Sequence, residues 1–192
     1  DDVNSMCRAF VHRVIGVEDT TQPFDLIHAH DWLTANAMIW MKKGRGRRGI
    51  LTIHASEYGR SGNMFHDGRS KRIRDQECAG MHWADRVIAV SGPLKEELMW
   101  MYERPDWHTA VVYNGVDRQR FDITVDAGAV RHKHAIGPND PVVLFCGRVD
   151  YQKGPDLLIE GFVRAKHRWP NAKLVFAGDG GMRHHVETRA HE

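Results

Sequence analysis

The sequence has few cysteines, no long apolar run and almost no excess of charge of either sign. Its 192 residues contain three cysteines, an odd number at wide spacing, which excludes a scaffold held together by disulfides. No stretch approaches the ~18 uninterrupted apolar residues of a membrane-spanning helix, and the first residues lack the basic and apolar regions of a secretory signal. We therefore expect a reduced, cytoplasmic chain without a membrane span.

The charge balance excludes nucleic acid as the main partner. Lysine and arginine number 27 against 25 aspartates and glutamates, a net charge of +2, whereas nucleic-acid-binding domains carry a clear basic excess. The one basic cluster, residues 44–49, is interrupted by glycines and is typical of a solvated turn between a helix and a strand. We therefore expect no nucleic-acid contact.

Short apolar runs alternate with helical patterns along the whole chain. The predicted strands cover residues 26–29, 50–53, 87–90, 109–113, 142–146 and 173–177, and the predicted helices cover 32–43, 70–84, 94–102 and 155–169. Asp31 is placed to cap the first of these helices. This alternation predicts an α/β fold with parallel sheets. We expect two Rossmann-like domains, both incomplete: residues 1–117, a linker over 118–140, and residues 141–192.

In open parallel sheets, ligands bind at the carboxyl ends of the strands. The residues directly after the predicted strands are polar, small or charged, where packing alone would not demand such residues: His28, His30, Asp31, His54, Ser91, Gly92, Asn114, Gly115, 148–153 and 178–181. These are the candidate site residues.

Arg148 and Lys153 place two cations on one strand-to-helix turn, directly before Pro155. A helix N-terminus presents free N–H groups and a partial positive charge, so it favours anions. An arginine fork and a lysine ammonium beside it suit a diphosphate that leaves with extra negative charge. Gly178, Asp179 and Gly180 form a second turn from which backbone N–H groups could approach the same phosphate.

Five segments with these features follow one another along the chain: 28–32 (His-Ala-His-Asp-Trp), 52–54 (Thr-Ile-His), 84–91, 114–117, and 147–158 together with 177–180. In that order they resemble the family-4 glycosyltransferases of the GT-B fold, and the first segment is most similar to the glycogen and starch synthase branch. The resemblance spans about residues 24 to 181. It implies two Rossmann-like domains facing across a cleft, and transfer from a nucleotide sugar with retention of anomeric configuration.

The resemblance also implies roles for the candidate residues. Arg148 and Lys153 would neutralise the donor diphosphate, His54 would contact the transferred sugar, and His30 and Asp31 would lie on the acceptor side. Further donor contacts would come from Gly178, Asp179, Gly180, Asn114 and Gly115. The implied donor is ADP-glucose or UDP-glucose as substrate, the acceptor is a glycan, and neither metal nor cofactor is required.

The chain departs from the family pattern at both ends. The family's glycine-rich loop would come before residue 1, and its paired glutamates would come after residue 192. We therefore expect an internal part of a longer enzyme that is inactive by itself.

Other interpretations stay open. His28, His30 and Asp31 could ligate a metal, and Cys78 with His82 could form a nucleophile–base pair. The chain could also belong to another GT-B enzyme, such as a nucleotide-sugar epimerase, or to a relative that binds nucleotide or glucan without turnover.

Overall fold

The structure is a computed structural model that describes residues 2–191, His191 through its backbone alone. Strands and helices alternate, and every strand pair is parallel. The chain divides into two compact units, one ending at Val116 and the other beginning at Asp117. The predicted α/β class with parallel sheets is thereby confirmed. No helix within residues 2–191 is both long and apolar enough to cross a bilayer.

The first unit is a four-stranded parallel sheet flanked by helices. Its elements, in chain order, are α1 (Asp2–Thr20), β1 (Leu26–His30), α2 (Asp31–Arg45), β2 (Arg48–Ile53), α3 (Glu57–Arg60), α4 (Arg69–Trp83), β3 (Arg86–Ala89), α5 (Gly92–Tyr102) and β4 (Thr109–Val111). The strand order is β1-β2-β3-β4. Because all four strands run the same way, their carboxyl ends lie at one edge of the sheet.

The core of this unit lies around β2 and β3. Leu51, Ile53, Val87 and Ala89 alternate along these strands and are fully buried on the face that packs against α2, α4 and α5. Burial of these four side chains removes apolar surface from water, which stabilises the folded state by about 25 cal/mol per Å² of buried area. This packed centre fixes the positions at which β1 and β2 end.

The basic cluster at residues 44–49 is neither a simple loop nor free of partners. Helix α2 runs through Arg45, and β2 begins at Arg48. Arg45 pairs with Asp19 at 2.9 Å, and Arg47 pairs with the buried Glu18 at 2.7 Å. Two of these cations therefore connect α1 to the turn between α2 and β2. The helical pattern of α1 itself had no counterpart among the predicted elements.

The second unit is smaller. It contains α6 (Ala127–Lys133), β5 (Val142–Cys146), α7 (Pro155–Lys166), β6 (Lys173–Ala177) and α8 (Arg183–His191), with β5 and β6 paired in parallel. Its buried apolar cluster centres on Val149, Ile159 and Val186. The core is small, so we expect this unit to be the less stable of the two.

Candidate functional site

Three histidines meet at the carboxyl ends of β1 and β2. The rings of His28 and His30 stack with centroids 4.5 Å apart, and those of His30 and His54 with centroids 5.3 Å apart. His30 Nδ1 lies 3.0 Å from His54 Nε2, and His28 Nε2 lies 2.7 Å from the Thr52 hydroxyl. The parallel register, which places His30 opposite Thr52, produces this arrangement. The first unit thus brings His30 and His54 together at the carboxyl edge of its sheet.

Asp31 does not cap α2 with its side chain, so that part of the prediction is wrong. Its carboxylate instead accepts a hydrogen bond from the His54 backbone N–H at 2.7 Å, and its φ of 53° is left-handed, which is costly for a residue with a Cβ. The Thr34 hydroxyl accepts a hydrogen bond from the His30 backbone N–H and donates one to the His30 carbonyl, both at 2.7 Å, so it ties the first turn of α2 to the end of β1. Asp31 therefore connects the first turn of α2 to the residue after β2.

One histidine of the cluster, His28, is held in an environment that favours its neutral imidazole form. Burial, and then the nearby rings of His30 and His54, lower the pKa of His28. A neutral imidazole can donate one hydrogen bond and accept another. The cluster is thereby suited to hydroxyl groups, such as those of a sugar, without adding a buried charge.

The loop that follows His54 is held by a buried glutamate that the sequence analysis missed. Glu77 of α4 is fully buried. Its carboxylate accepts hydrogen bonds from the Glu57 backbone N–H at 2.9 Å, from Arg60 at 2.6 Å and from the Tyr102 hydroxyl at 2.7 Å. Glu77 lies four residues after Ile73 and four before Met81, both buried. That spacing places an acidic residue on the buried face of α4, and this was the feature of the sequence that could have identified Glu77 as a structural residue.

Burial dominates the titration of this group. It raises the pKa of the Glu77 carboxyl, while the hydrogen bonds from Tyr102 and Glu57 and the charge of Arg60 act in the opposite direction. Burial also raises the pKa of Tyr102, as does the neighbouring Glu77 carboxylate. Three donors for one carboxylate leave the group well satisfied, so the loop is rigidly attached to α4 and α5.

In the second unit, Arg148 and Lys153 lie on the connection from β5 to α7. The Arg148 side chain is 69% exposed, and its Nη1 lies 3.4 Å from Asp150 Oδ2. Lys153 is exposed and ends a 3-10 turn, and Gly154, with a left-handed φ of 60°, then leads into Pro155. Within residues 2–191 the Lys153 ammonium has no ion-pair partner, so both cations are accessible to an anion.

The glycine turn after β6 lies directly against this connection. A Cβ built on Gly178 would stand 1.8 Å from the Gly147 carbonyl oxygen, and one on Gly180 would stand 2.5 Å from the Val149 carbonyl oxygen. The Gly147 N–H donates to the Ala177 carbonyl at 3.0 Å. Only glycine permits this approach, so the turn and the Arg148 connection form one continuous surface.

Two amides of the glycine turn are bonded to carboxylates. The Gly180 N–H donates to Asp179 Oδ1 at 2.8 Å, and the Gly181 N–H donates to Asp150 Oδ1 at 2.9 Å. Asp150 thereby bridges the glycine turn and Arg148, a role that the sequence analysis did not assign. The feature of the sequence that could have indicated this role is the position of an acidic residue between two cations in the segment 148–153.

Asn114 and Gly115 follow β4 and are exposed, and no hydrogen bond links the Asn114 side chain to the histidine cluster in the described part of the chain. Over that same part, no three histidine, cysteine, aspartate or glutamate side chains are grouped as metal ligands. His28, His30 and Asp31 direct their polar atoms to Thr52, His54 and the His54 N–H instead.

Two family models match the sequence. Residues 7–120 match the model described as Glycosyltransferase Family 4, and residues 126–192 match the model described as Glycosyl transferases group 1. The first match covers more than half of the chain.

Similar curated proteins include three glycosyltransferases of different kinds. An uncharacterized glycosyltransferase of Methanocaldococcus jannaschii is 34% identical over 93% of this chain and 45% of its own length. Glycogen synthase of Mycobacterium tuberculosis is 26% identical over 92% of this chain and 41% of its own length. D-inositol 3-phosphate glycosyltransferase 2 of Catenulispora acidiphila is 30% identical over 94% of this chain and 44% of its own length. The chain spans less than half the length of these relatives.

Among solved structures, Anabaena HepE in complex with UDP and glucose superposes with a TM-score of 0.72 at 20% identity, over 93% of this chain and 46% of that one. At this identity the likeness establishes the shared fold alone. Together with the parallel sheets, it supports the predicted GT-B architecture.

Proposed function

The chain belongs to glycosyltransferase family 4, and we propose that its protein transfers a sugar from a nucleotide-sugar donor to a hydroxyl of a carbohydrate acceptor, with retention of anomeric configuration and without a metal ion. In this proposal the second unit binds the donor and the first unit is the acceptor side. The acceptor oxygen forms a bond to the anomeric carbon as the carbon–oxygen bond to the diphosphate breaks. The acceptor proton leaves with the nucleoside diphosphate.

One observation carries the donor assignment: the close contact between the Arg148 connection and the glycine turn. Because Gly178 and Gly180 pack directly against the Gly147 and Val149 carbonyls, the glycine turn lies beside the Arg148 connection. Arg148 and Lys153 are both exposed on that connection, so both cations can contact one diphosphate there. Arg148 and Lys153 would neutralise the charge that develops on the leaving diphosphate. Stabilisation of this kind is worth about 100-fold or more in kcat for one donor group.

Asp150 has a place in this proposal as a positioning residue. It pairs with Arg148 and accepts from the Gly181 N–H, so it holds the arginine beside the glycine turn before donor binds. A diphosphate would replace it as the partner of Arg148, since phosphate oxygens accept the same bidentate hydrogen bonds.

On the first unit, we propose that His54 contacts the transferred sugar and that His30 and Asp31 shape the acceptor side. The support is geometric: His54 bonds to both of the others, through its ring and through its backbone N–H. Asn114 and Gly115 stay proposed donor contacts.

The donor base and the acceptor are the finer parts of the proposal. HepE was crystallised with UDP-glucose, and we propose a glucosyl donor, UDP-glucose or ADP-glucose. The relatives' names offer two acceptor classes, a glucan and a phosphorylated polyol. We also propose a cytoplasmic location, because Cys78 and Cys146 are exposed free thiols and such thiols persist in a reducing compartment.

The donor site is tested by nucleotide binding. Calorimetry with UDP and ADP on the wild type, Arg148→Ala and Lys153→Ala should show a loss of at least about tenfold in affinity for each variant, since each removes a charge-assisted contact. Arg164→Ala, an exposed cation at the far end of α7, is the matched control and should bind as the wild type does. Unchanged affinity in both site variants would refute the donor assignment.

A further inference from the structure

One pocket of the first unit has no part in the donor assignment. It measures about 460 Å³ and lies between the N-terminal ends of α1, α2 and α4. This volume falls within the usual range of small-molecule sites. We call it the α4 pocket; it is lined by Asp2, Val3, Asn4, Trp32, Arg69, Arg72, Ile73 and Gln76.

The α4 pocket carries two arginines whose charges are uncompensated. Arg69 and Arg72 stand on the same face of α4 as Ile73 and Gln76, at spacings of three, four and seven residues. No acidic residue occupies the first turn of α4, and neither guanidinium has an ion-pair or hydrogen-bond partner among residues 2–191. Among the described residues of the lining, Asp2 is the one acidic residue, so its charge leaves one of the two positive charges uncompensated.

The neighbouring cations of α4 are engaged elsewhere, which sets Arg69 and Arg72 apart. Lys71 pairs with Asp75 at 2.8 Å. Arg74 donates to the Ser70 hydroxyl at 3.0 Å and lies over the Phe65 ring at 5.1 Å. The cations that face the pocket are therefore the ones left for a ligand.

Neutral groups complete the lining of the α4 pocket. The Gln76 Nε2 amide is buried and has no hydrogen-bond partner among the described residues, which costs free energy unless a ligand accepts from it. The Asn4 carbonyl oxygen accepts from Asn36 at 2.7 Å, so the Asn4 amide nitrogen remains available as a donor. Half-buried Trp32 supplies an aromatic wall, and aromatic rings pack well against the apolar faces of sugars.

From these observations we propose that the α4 pocket binds the phosphate group of a small phosphorylated sugar or polyol, and that this molecule is the acceptor. Arg69 and Arg72 would bind the phosphate, for which the guanidinium fork is well suited. Trp32 would pack against the ring, and Asp2, Asn4 and Gln76 would bond to hydroxyls. The acceptor role rests on the proposed function, whereas phosphate binding stands on the pocket alone.

The pocket lies beside the histidine cluster along the chain. Trp32 directly follows Asp31, whose carboxylate bonds to the His54 N–H. An acceptor held against Trp32 would therefore sit next to the residues proposed for the acceptor side. The hydroxyls of an uncharged glucan could accept from the Gln76 amide but would leave the charges of Arg69 and Arg72 uncompensated, so the pocket favours the phosphorylated class.

The test is an NMR titration of the 192-residue chain with glucose 6-phosphate, glucose and inorganic phosphate. We expect glucose 6-phosphate to bind at least about tenfold more tightly than glucose, because charge-assisted hydrogen bonds to phosphate are strong. The double variant Arg69→Gln/Arg72→Gln should lose this preference. Lys71→Gln, one exposed cation of the same helix outside the pocket, is the matched control and should keep it.

A second variant separates the ring from the phosphate. Trp32→Leu should weaken glucose 6-phosphate binding several-fold and leave inorganic phosphate unchanged. Equal affinities for glucose and glucose 6-phosphate, or full binding by the double arginine variant, would overturn the proposal. Inorganic phosphate binding as tightly as glucose 6-phosphate would overturn the sugar or polyol assignment.

The same spectra separate this inference from the donor assignment. UDP should perturb the amides of Lys153 and Gly180, while glucose 6-phosphate should perturb Arg72 and the Gln76 side chain. Loss of the first response with the second retained would contradict the donor site and leave the α4 pocket intact. The reverse result would reject the pocket and retain the donor site.

Discussion

Replacing Glu77 by alanine should destabilise the first unit more than any single change on its surface. The fully buried carboxylate accepts hydrogen bonds from the Glu57 N–H, Arg60 and the Tyr102 hydroxyl. Alanine removes the shared acceptor and leaves three donors, one of them charged, without it. The loop after His54 would then lose its attachment to α4 and α5.

The expected magnitude follows from what is left unpaired. Removing one partner of a buried ion pair costs about 3–5 kcal/mol. Arg60 retains a bond to the Ala55 carbonyl at 2.6 Å and a pairing with Glu57 at 3.2 Å, so we expect the lower part of this range, about 3 kcal/mol. Tyr102→Phe removes a single bond to the carboxylate and should cost about 1.5–3 kcal/mol.

Urea unfolding monitored by tryptophan fluorescence measures these changes. Five of the six tryptophans lie in the first unit, and Trp169 is the exception. A Trp169→Phe background therefore reports on the first unit alone. Hydrogen exchange of the Glu57 and His54 amides should accelerate in Glu77→Ala, because the Glu57 amide loses its acceptor and the loop that begins at His54 loses its anchor.

Asp75→Ala is the matched control, since Asp75 lies on the same helix in an exposed pair with Lys71. It should change stability by less than about 0.5 kcal/mol. A loss below about 1 kcal/mol for Glu77→Ala, or exchange at Glu57 no faster than in the control, would refute the anchoring role.

Three further predictions concern other parts of the chain. Gly178→Ala should unfold the second unit in circular dichroism melts, because its Cβ would lie 1.8 Å from the Gly147 carbonyl oxygen, whereas Gly161→Ala, with nothing within 4 Å, should be tolerated or slightly stabilising. Although burial alone would raise the pKa of Asp85, hydrogen bonds from Lys42 and the Gly49 N–H lower it. The ionised Asp85 carboxylate therefore stabilises the fold fully above its ordinary pKa of 3.8, and this contribution is lost as pH falls through the lowered pKa. Acid titration should consequently destabilise the wild type more steeply than Asp85→Asn. Amides of β5 and β6 should exchange faster than those of β2 and β3, and equal protection would contradict the difference in core size.

Strand positions followed well from the sequence because apolar runs and strand ends are local signals. Residues 142–146 and 173–177 form strands as predicted, and His30 and His54 meet because β1 and β2 are adjacent. The spacing of the motifs could not reveal which strand neighbours which, but the parallel class already places all carboxyl ends at one edge.

The missed features depend on contacts distant in sequence. Glu77 receives its partners from α3 and α5, and the Asp31 carboxylate bonds to a residue 23 positions away. A capping preference is a local rule, and the competing His54 N–H overrode it at Asp31. The paired state of Arg45 and Arg47 likewise requires α1, which lies some 26 to 29 positions earlier.

Acceptor-dependent release of nucleotide tests the central claim most directly. The protein in its full natural length would be incubated with UDP-glucose or ADP-glucose, with and without glucose 6-phosphate or a glucan primer, and free nucleoside diphosphate would be measured. We predict release that requires an acceptor and falls at least about 100-fold in Arg148→Ala and in Lys153→Ala, with Arg164→Ala unaffected. Conversion of the donor sugar without an acceptor, or wild-type turnover in both site variants, would contradict the account.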